Sequence, residues 1–148
     1  MSDAEAKDAL LDGINEGPLL VNYVGHGSVG VWRGDLLTSI DAEALEREGL
    51  PLLFKITSSN GFFQAPYTDS LAEELIKRPQ GGAVGVWTSS GPTIPDAQDV
   101  INMELMKHLF GAKPRRLGEA VRRAKAAATD QDTRRTWMLF GDPTMKLK

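Results

Sequence analysis

The amino-acid sequence predicts an α/β domain with a mostly parallel sheet, and three observations carry that prediction. Short apolar, β-rich runs alternate with segments of helical periodicity along the whole chain. Parallel strands need helical crossovers, which this alternation supplies. Each of the first three apolar runs ends in a polar loop rich in Gly, Ser or Asn, the arrangement that collects ligand-binding groups at the carboxyl ends of strands. The 148 residues read as one domain, 1–148, without linker or internal repeat.

Ser2 with Glu5 forms a capping-box pattern, and Ala6, Leu10, Leu11 and Ile14 recur at helical spacing, so the first helix is expected over Asp3 to Glu16. Leu19 to Val24 is the first buried-strand candidate, closed by Gly25-His26-Gly27. Thr38 or Ser39 caps a second helix, expected from Ile40 to Glu48 and stopped by Gly49. Pro51 to Ile56 is the second strand, ended by Thr57-Ser58-Ser59-Asn60-Gly61. A third helix carries Leu71, Leu75 and Ile76 on one stripe, with Thr68 or Asp69 as its cap. Ala83 to Trp87 is the third strand, and Thr88 to Pro95 is a loop. Val100, Ile101, Leu105 and Leu109 mark one further helix, and Leu117, Val121 and Ala124 another. The last apolar run, Trp137 to Phe140, precedes Gly141-Asp142-Pro143.

Composition narrows the chemistry. The chain has no Cys, hence no disulfide, thiolate metal site or thiol nucleophile. A net charge of -3 supplies no basic field for nucleic acid, so no nucleic-acid partner is expected. No apolar stretch is long enough to span a bilayer, and none at the N-terminus forms a signal-peptide core, so no membrane partner is expected and the compartment stays open. His26 and His108 lie in unlike contexts and make no metal site; no cofactor is expected.

Gly25-His26-Gly27-Ser28-Val29-Gly30 fits G-x-G-x-x-G after a strand. The following Val31-Trp32-Arg33-Gly34 is a poor helix start, however, and no acid ends the second strand to hold a ribose. His26 between two glycines reads either as a working imidazole or as a histidine bonded within a turn. His108, near Glu104 and Lys107, reads as a paired helix residue. Ser58-Ser59 offers hydroxyls near His26 without a G-x-S-x-G elbow, and bland turn chemistry explains the cluster equally well. The basic run from Lys113 to Lys125 reads as a solvated helix face.

In their order, Val21-Asn22-Tyr23-Val24-Gly25-His26-Gly27-Ser28, Trp32, Pro51-Leu52-Leu53, Gly61, Phe63, Ser70 to Leu75, Gly81 to Gly91 and Gly141-Asp142-Pro143 resemble the gingipain-type family of cysteine peptidases. The resemblance covers about Pro18 to Leu147 and implies a three-layer, caspase-like sandwich that here lacks the N-terminal strands of the full domain. It also implies a His/Cys dyad that cleaves peptide bonds. His26 matches the catalytic histidine, and Ser58 falls where the cysteine belongs, with Ser59 the fallback if the turn shifts by one residue. Gly27 and the Ser58 amide are the oxyanion candidates, with Ser59 as a supporting residue of that pocket; Trp87, Ser89, Ser90 and Gly91 are the substrate-binding candidates.

A thiol with a pKa of about 8.5 becomes a thiolate beside a suitable charge, whereas a serine hydroxyl needs a true general base oriented by a third group. The expectation is a peptidase-like domain with little or no activity on a peptide or protein substrate. Two rivals stand beside it: a non-catalytic peptide-binding module on the same fold, and a serine hydrolase using Asp35, Asp69 or Asp142. An uncovered sheet edge would also favour a homodimer. Relatives in this family are commonly exported.

Overall fold

The computed structural model describes residues 2–45, 53–55 and 59–147, the middle segment through its backbone pairing. Helix α1 (Asp3–Asn15) opens with the Ser2/Glu5 capping box, in which the Glu5 carboxylate accepts from the Ser2 amide at 2.7 Å. Strands β1 (Leu20–Asn22), β4 (Leu53–Lys55), β5 (Gly85–Ser89) and β6 (Trp137–Gly141) form one sheet in the order β1-β4-β5-β6. The first two contacts are parallel, with Asn22 level with Lys55 and Lys55 with Trp87; β6 runs antiparallel along β5. Between β1 and β4 lie a two-stranded hairpin, β2 (Gly27–Ser28) with β3 (Val31–Trp32), and helix α2 (Ser39–Ala44). The remaining helices are α3 (Leu71–Lys77), α4 (Pro95–Phe110), α5 (Leu117–Ala127) and α6 (Gln131–Thr136).

Strand alternation divides the apolar residues between two cores, because successive side chains point to opposite faces. Val86 joins Ile14, Trp32, Leu37, Leu71 and Leu75, with Val21 and Phe140 packed against them. Its neighbour Trp87 joins Ile101, Leu105, Leu117, Val121 and Trp137, with Leu20 and Leu139 at the margin. All five residues of β5 are buried. Each large side chain so enclosed contributes about 1.5–3 kcal/mol.

Several elements differ from expectation, each for a local reason. Helix α3 is capped by Ser70 rather than by Thr68 or Asp69: Glu73 accepts from the Ser70 amide at 2.9 Å and its own amide donates to the Ser70 hydroxyl at 3.4 Å. Helix α4 starts at Pro95, at the end of the expected loop, where a missing N–H costs nothing. The third strand sits two residues later than expected and takes in Ser89. Helix α6 was not expected, because Gln-Asp-Thr-Arg-Arg-Thr has no apolar stripe; its start is held by Asp130, which accepts from the Thr133 amide at 2.7 Å. The β2–β3 hairpin stands where the sequence suggests only a loop, two residues per strand being too few to show a period. The second helix ends at Ala44, short of the expected Glu48, because Leu45 has already turned to extended backbone (φ -66°, ψ 120°); Glu48 itself, and Pro51, Leu52 and Ile56 of the second strand, lie outside the described residues.

Candidate active site

The parallel arrangement of β1, β4 and β5 brings three loops to one end of the sheet. After β1 the chain turns through Tyr23 and Gly25 into His26. The Tyr23 ring stacks on the buried Trp32 ring, centroids 4.0 Å apart and planes 6° apart, and its hydroxyl donates to the His26 carbonyl at 2.8 Å. The Arg33 amide donates to the same carbonyl at 2.9 Å. A Cβ on Gly25 would lie 2.5 Å from the Tyr23 oxygen, so only glycine lets the phenol fold back on the turn. Burial raises the Tyr23 phenol above its ordinary pKa, against the lowering effect of the Arg33 amide and charge.

With its backbone held this way, the His26 side chain is exposed. It lines two adjoining grooves of about 440 and 280 Å³, shared with Arg33 and Gly34. Among the described residues no side chain hydrogen-bonds the imidazole.

After β4, Ser59 takes a left-handed backbone conformation (φ 63°), and the Phe62 amide closes the turn on the Ser59 carbonyl at 3.1 Å. Asn60 is fully buried. Its carboxamide nitrogen donates to the Ser28 carbonyl and, at 3.3 Å, to the Val31 carbonyl, one on each side of the hairpin that begins after His26. The Asn60 carbonyl accepts from the Ala72 amide at 3.0 Å, and the Gly61 amide donates to the Ser89 carbonyl at 3.0 Å. The turn is thus fastened to the hairpin, to α3 and to the end of β5. Gly27 lies directly against it, since a Cβ there would stand 2.7 Å from Asn60 Oδ1. Ser58 lies outside the described residues.

The residues expected to bind substrate are buried. Trp87 is fully enclosed beneath α4 and α5, its ring 5.3 Å from that of Trp137, so it belongs to the core. The Ser89 hydroxyl is buried and donates to the Gly91 carbonyl at 2.7 Å while accepting from the Gly91 amide at 3.2 Å. Ser90 donates to the Thr136 carbonyl through its amide at 2.9 Å and its hydroxyl at 3.1 Å. Ser89, Ser90 and Gly91 therefore build the end of β5 and join it to α6. Sequence reasoning missed Asn60 and Tyr23. Both carry a polar group in an otherwise apolar or turn setting, the one signal that marked them.

Of the three acids weighed as partners for His26, Asp35 shares a groove with it, exposed and with φ 54°, but no hydrogen bond joins the two. Asp69 pairs with Lys77 at 2.6 Å. Asp142 binds the Thr144 amide and hydroxyl, and it follows Gly141, which pairs with Gly85 at the opposite end of β5 from Ser89. His108 lies 3.3 Å from Glu104, and Arg122 and Arg123 reach Glu119 at 2.9 and 2.6 Å, so those side chains pair within their own helices. The two guanidinium groups hold the Glu119 carboxyl down to about 2. Among the described residues no group of three or more His, Asp or Glu side chains is placed to hold a metal, and no helix is long and apolar enough to cross a membrane.

The model of peptidase family C25 matches residues 2–148. Among solved structures, the Arg-specific cysteine proteinase gingipain R (RgpB) superposes with a TM-score of 0.80 at 23% identity, over 96% of this chain and 36% of that one. The complex of Porphyromonas gingivalis RgpB pro- and mature domains gives a TM-score of 0.88 at 22% identity, over 96% and 37%. A further protease gives 0.83 at 16%, over 92% and 37%. These likenesses show the mixed α/β fold, and the chain spans about a third of the length of the structures it matches. No curated protein matches.

Proposed function

Because the chain belongs to peptidase family C25, we propose that it is a cysteine-peptidase-like domain whose grooves at His26 and Arg33 take an extended peptide with little or no hydrolysis. The observation that carries this reading is the fastening of the hairpin after His26 to the turn after β4 by Asn60, in a chain without cysteine. The exposed imidazole of His26 supports a histidine side of such a dyad, and the chain has no thiol. Ser58 stands at the nucleophile position. A serine would need His26 to act as general base with an orienting acid, and none of Asp35, Asp69 and Asp142 bonds it. Gly27 and the Ser58 amide remain the oxyanion candidates, since donors survive the loss of a nucleophile. The fold reading that goes with this is a three-layer, caspase-like sandwich corresponding to the C-terminal portion of the family's catalytic domain.

The test is to restore the thiol. Ser58→Cys is expected to react with an electrophilic peptide probe, the parent chain and the His26→Ala/Ser58→Cys double variant much less. An inert Ser58→Cys protein would overturn the dyad reading and leave the fold standing.

A second reading, a non-catalytic peptide- or protein-binding module, is favoured by one observation: β1 lies at an end of the strand order, with its outer side unpaired among the described residues. Such an edge accepts an extended strand, or a second copy of the chain. Sedimentation at high concentration should show dimers if copies pair there, and a clean monomer counts against it.

A further inference from the structure

Resting on the reading of this chain as a domain that takes a peptide, we propose that Arg134 and Arg135 form a second site, which holds an acidic side chain of that peptide. Both arginines lie on α6, and among the described residues they line, with Gln131, a groove of about 380 Å³. That is more than ten times the roughly 30 Å³ share of one water molecule, so a side chain fits there and not only a small ion.

The charges around the groove point to an anion. On the neighbouring helix α5, Arg122 and Arg123 reach Glu119, and Lys77 and Lys107 find acids in the same way. Among the described residues Arg134 and Arg135 make no ion pair: Asp130 is engaged by the Thr133 amide at 2.7 Å, and Asp132, the acid within α6, reaches neither guanidinium. A third cation stands beside them. Lys125 of α5 is half-buried and donates to the Trp137 carbonyl at 2.7 Å, again with no acid in ion-pair reach among the described residues. Burial and the charge of Arg134 lower its pKa. Three gathered cations without an acid repel one another and add nothing to stability, so the cluster is explained by a guest that brings the negative charge.

Placement and chemistry narrow that guest. Ser90 donates twice to the Thr136 carbonyl, and Trp137 at the start of β6 is level with Ser89 at the end of β5. The groove therefore sits at the carboxyl end of β5, the end of the sheet at which β1 and β4 also finish and at which α/β folds collect ligands. Guanidinium groups pair with a carboxylate through parallel N–H···O bonds in a fixed fork. The chain as a whole carries a charge of -3, so attraction is local to the groove, which suits one acidic side chain and not a polyanion.

The experiment measures binding of a fluorescently labelled peptide of Glu and Ala by anisotropy, beside a peptide of Gln and Ala of equal length. The Glu peptide is expected to bind the parent chain more tightly than the Gln peptide, and to weaken as salt rises. Arg134→Gln/Arg135→Gln should lower the affinity for the Glu peptide about tenfold or more, the factor that one hydrogen bond to a charged group is worth, and leave the Gln peptide unchanged. Arg134→Lys/Arg135→Lys keeps the charge, loses the fork and should fall between, which keeps the test open if the first variant does not fold. Arg122→Gln removes one exposed charge from α5 and should change neither affinity. If both peptides bind the parent alike, if Arg134→Gln/Arg135→Gln keeps the full affinity for the Glu peptide, or if Arg122→Gln weakens it equally, the site is overturned and the peptide reading stands. If neither peptide binds the parent, the peptide reading fails and the site fails with it, even where inorganic phosphate binds the groove.

Discussion

Tyr23 and Trp32 lie face to face, ring centroids 4.0 Å apart, and through that stack the β3 strand holds the phenol that grips the His26 carbonyl. The buried indole belongs to the core that also takes in Ile14 and Leu71. Presentation of the exposed histidine is therefore anchored in the apolar interior rather than in the loop's own polar contacts.

Removing the hydroxyl should separate the two contributions. Tyr23→Phe keeps the stack and loses one hydrogen bond, an expected cost of about 1 kcal/mol. Trp32→Ala removes a fully buried indole and is expected to cost about 3–5 kcal/mol. Urea unfolding of both variants checks this; equal losses would mean that the stack contributes little.

Two glycine substitutions should have opposite signs. A methyl on Gly25 meets the Tyr23 oxygen at 2.5 Å, and the phenol has no room to retreat because it rests on Trp32. Gly25→Ala is expected to destabilise by about 1–3 kcal/mol. Gly13, inside α1, has nothing within 4 Å of its would-be Cβ, so Gly13→Ala should stabilise by about 0.5–1 kcal/mol through helix propensity. Thermal melts of the two proteins compare them directly.

Stability should fall on the acid side through Asp41. Burial tends to raise its pKa, but hydrogen bonds from Lys7 and Thr38 outweigh burial and bring it below its ordinary value of 3.8. Lys7 lies 2.7 Å from the Asp41 carboxylate and ties α1 to α2. A carboxyl with a depressed folded pKa contributes stability that is complete above its unfolded pKa and is lost as pH falls through the folded one. Asp41→Asn should therefore be less stable than the parent at neutral pH and should show a shallower decline below about pH 4. Parallel curves for the two proteins across that range would remove Asp41 from the account.

The closing Gly141-Asp142-Pro143 block is expected to act on the fold and not on the site. The Met145 and Pro143 carbonyls accept from the Leu117 and Gly118 amides, satisfying the first turn of α5, and Asp142 holds the loop by bonding Thr144. Asp142→Ala should cost about 1 kcal/mol and leave the reactivity of Ser58→Cys unchanged. A fluorophosphonate probe should leave the parent chain unlabelled; labelling lost in Asp142→Ala would revive that acid as a partner for His26.

Much of the fold was legible along the chain because periodicity and caps are local. The stripe from Leu71 to Ile76, the run from Trp137 to Phe140 and the Ser2/Glu5 box each declare themselves within a few residues. The order of motifs from Val21 to Pro143 carried the family, and the peptidase C25 match over residues 2–148 agrees with it. Elements too short or too charged to show a period, the β2–β3 hairpin and α6, did not declare themselves.

What the sequence determined alone was chemistry: a histidine between glycines, a serine two residues before Asn60, and no thiol anywhere. What only the tertiary structure decided was adjacency. Alternation along β5 sends Trp87 into the core rather than into a cleft, and antiparallel pairing carries Asp142 to the far end of the sheet from Ser89. The same folding brings Asn60 onto the two carbonyls of a hairpin about thirty residues earlier in the chain. The reason is physical: side-chain direction and strand polarity depend on pairing between distant segments, and no local pattern of residues records which partner a buried amide will find.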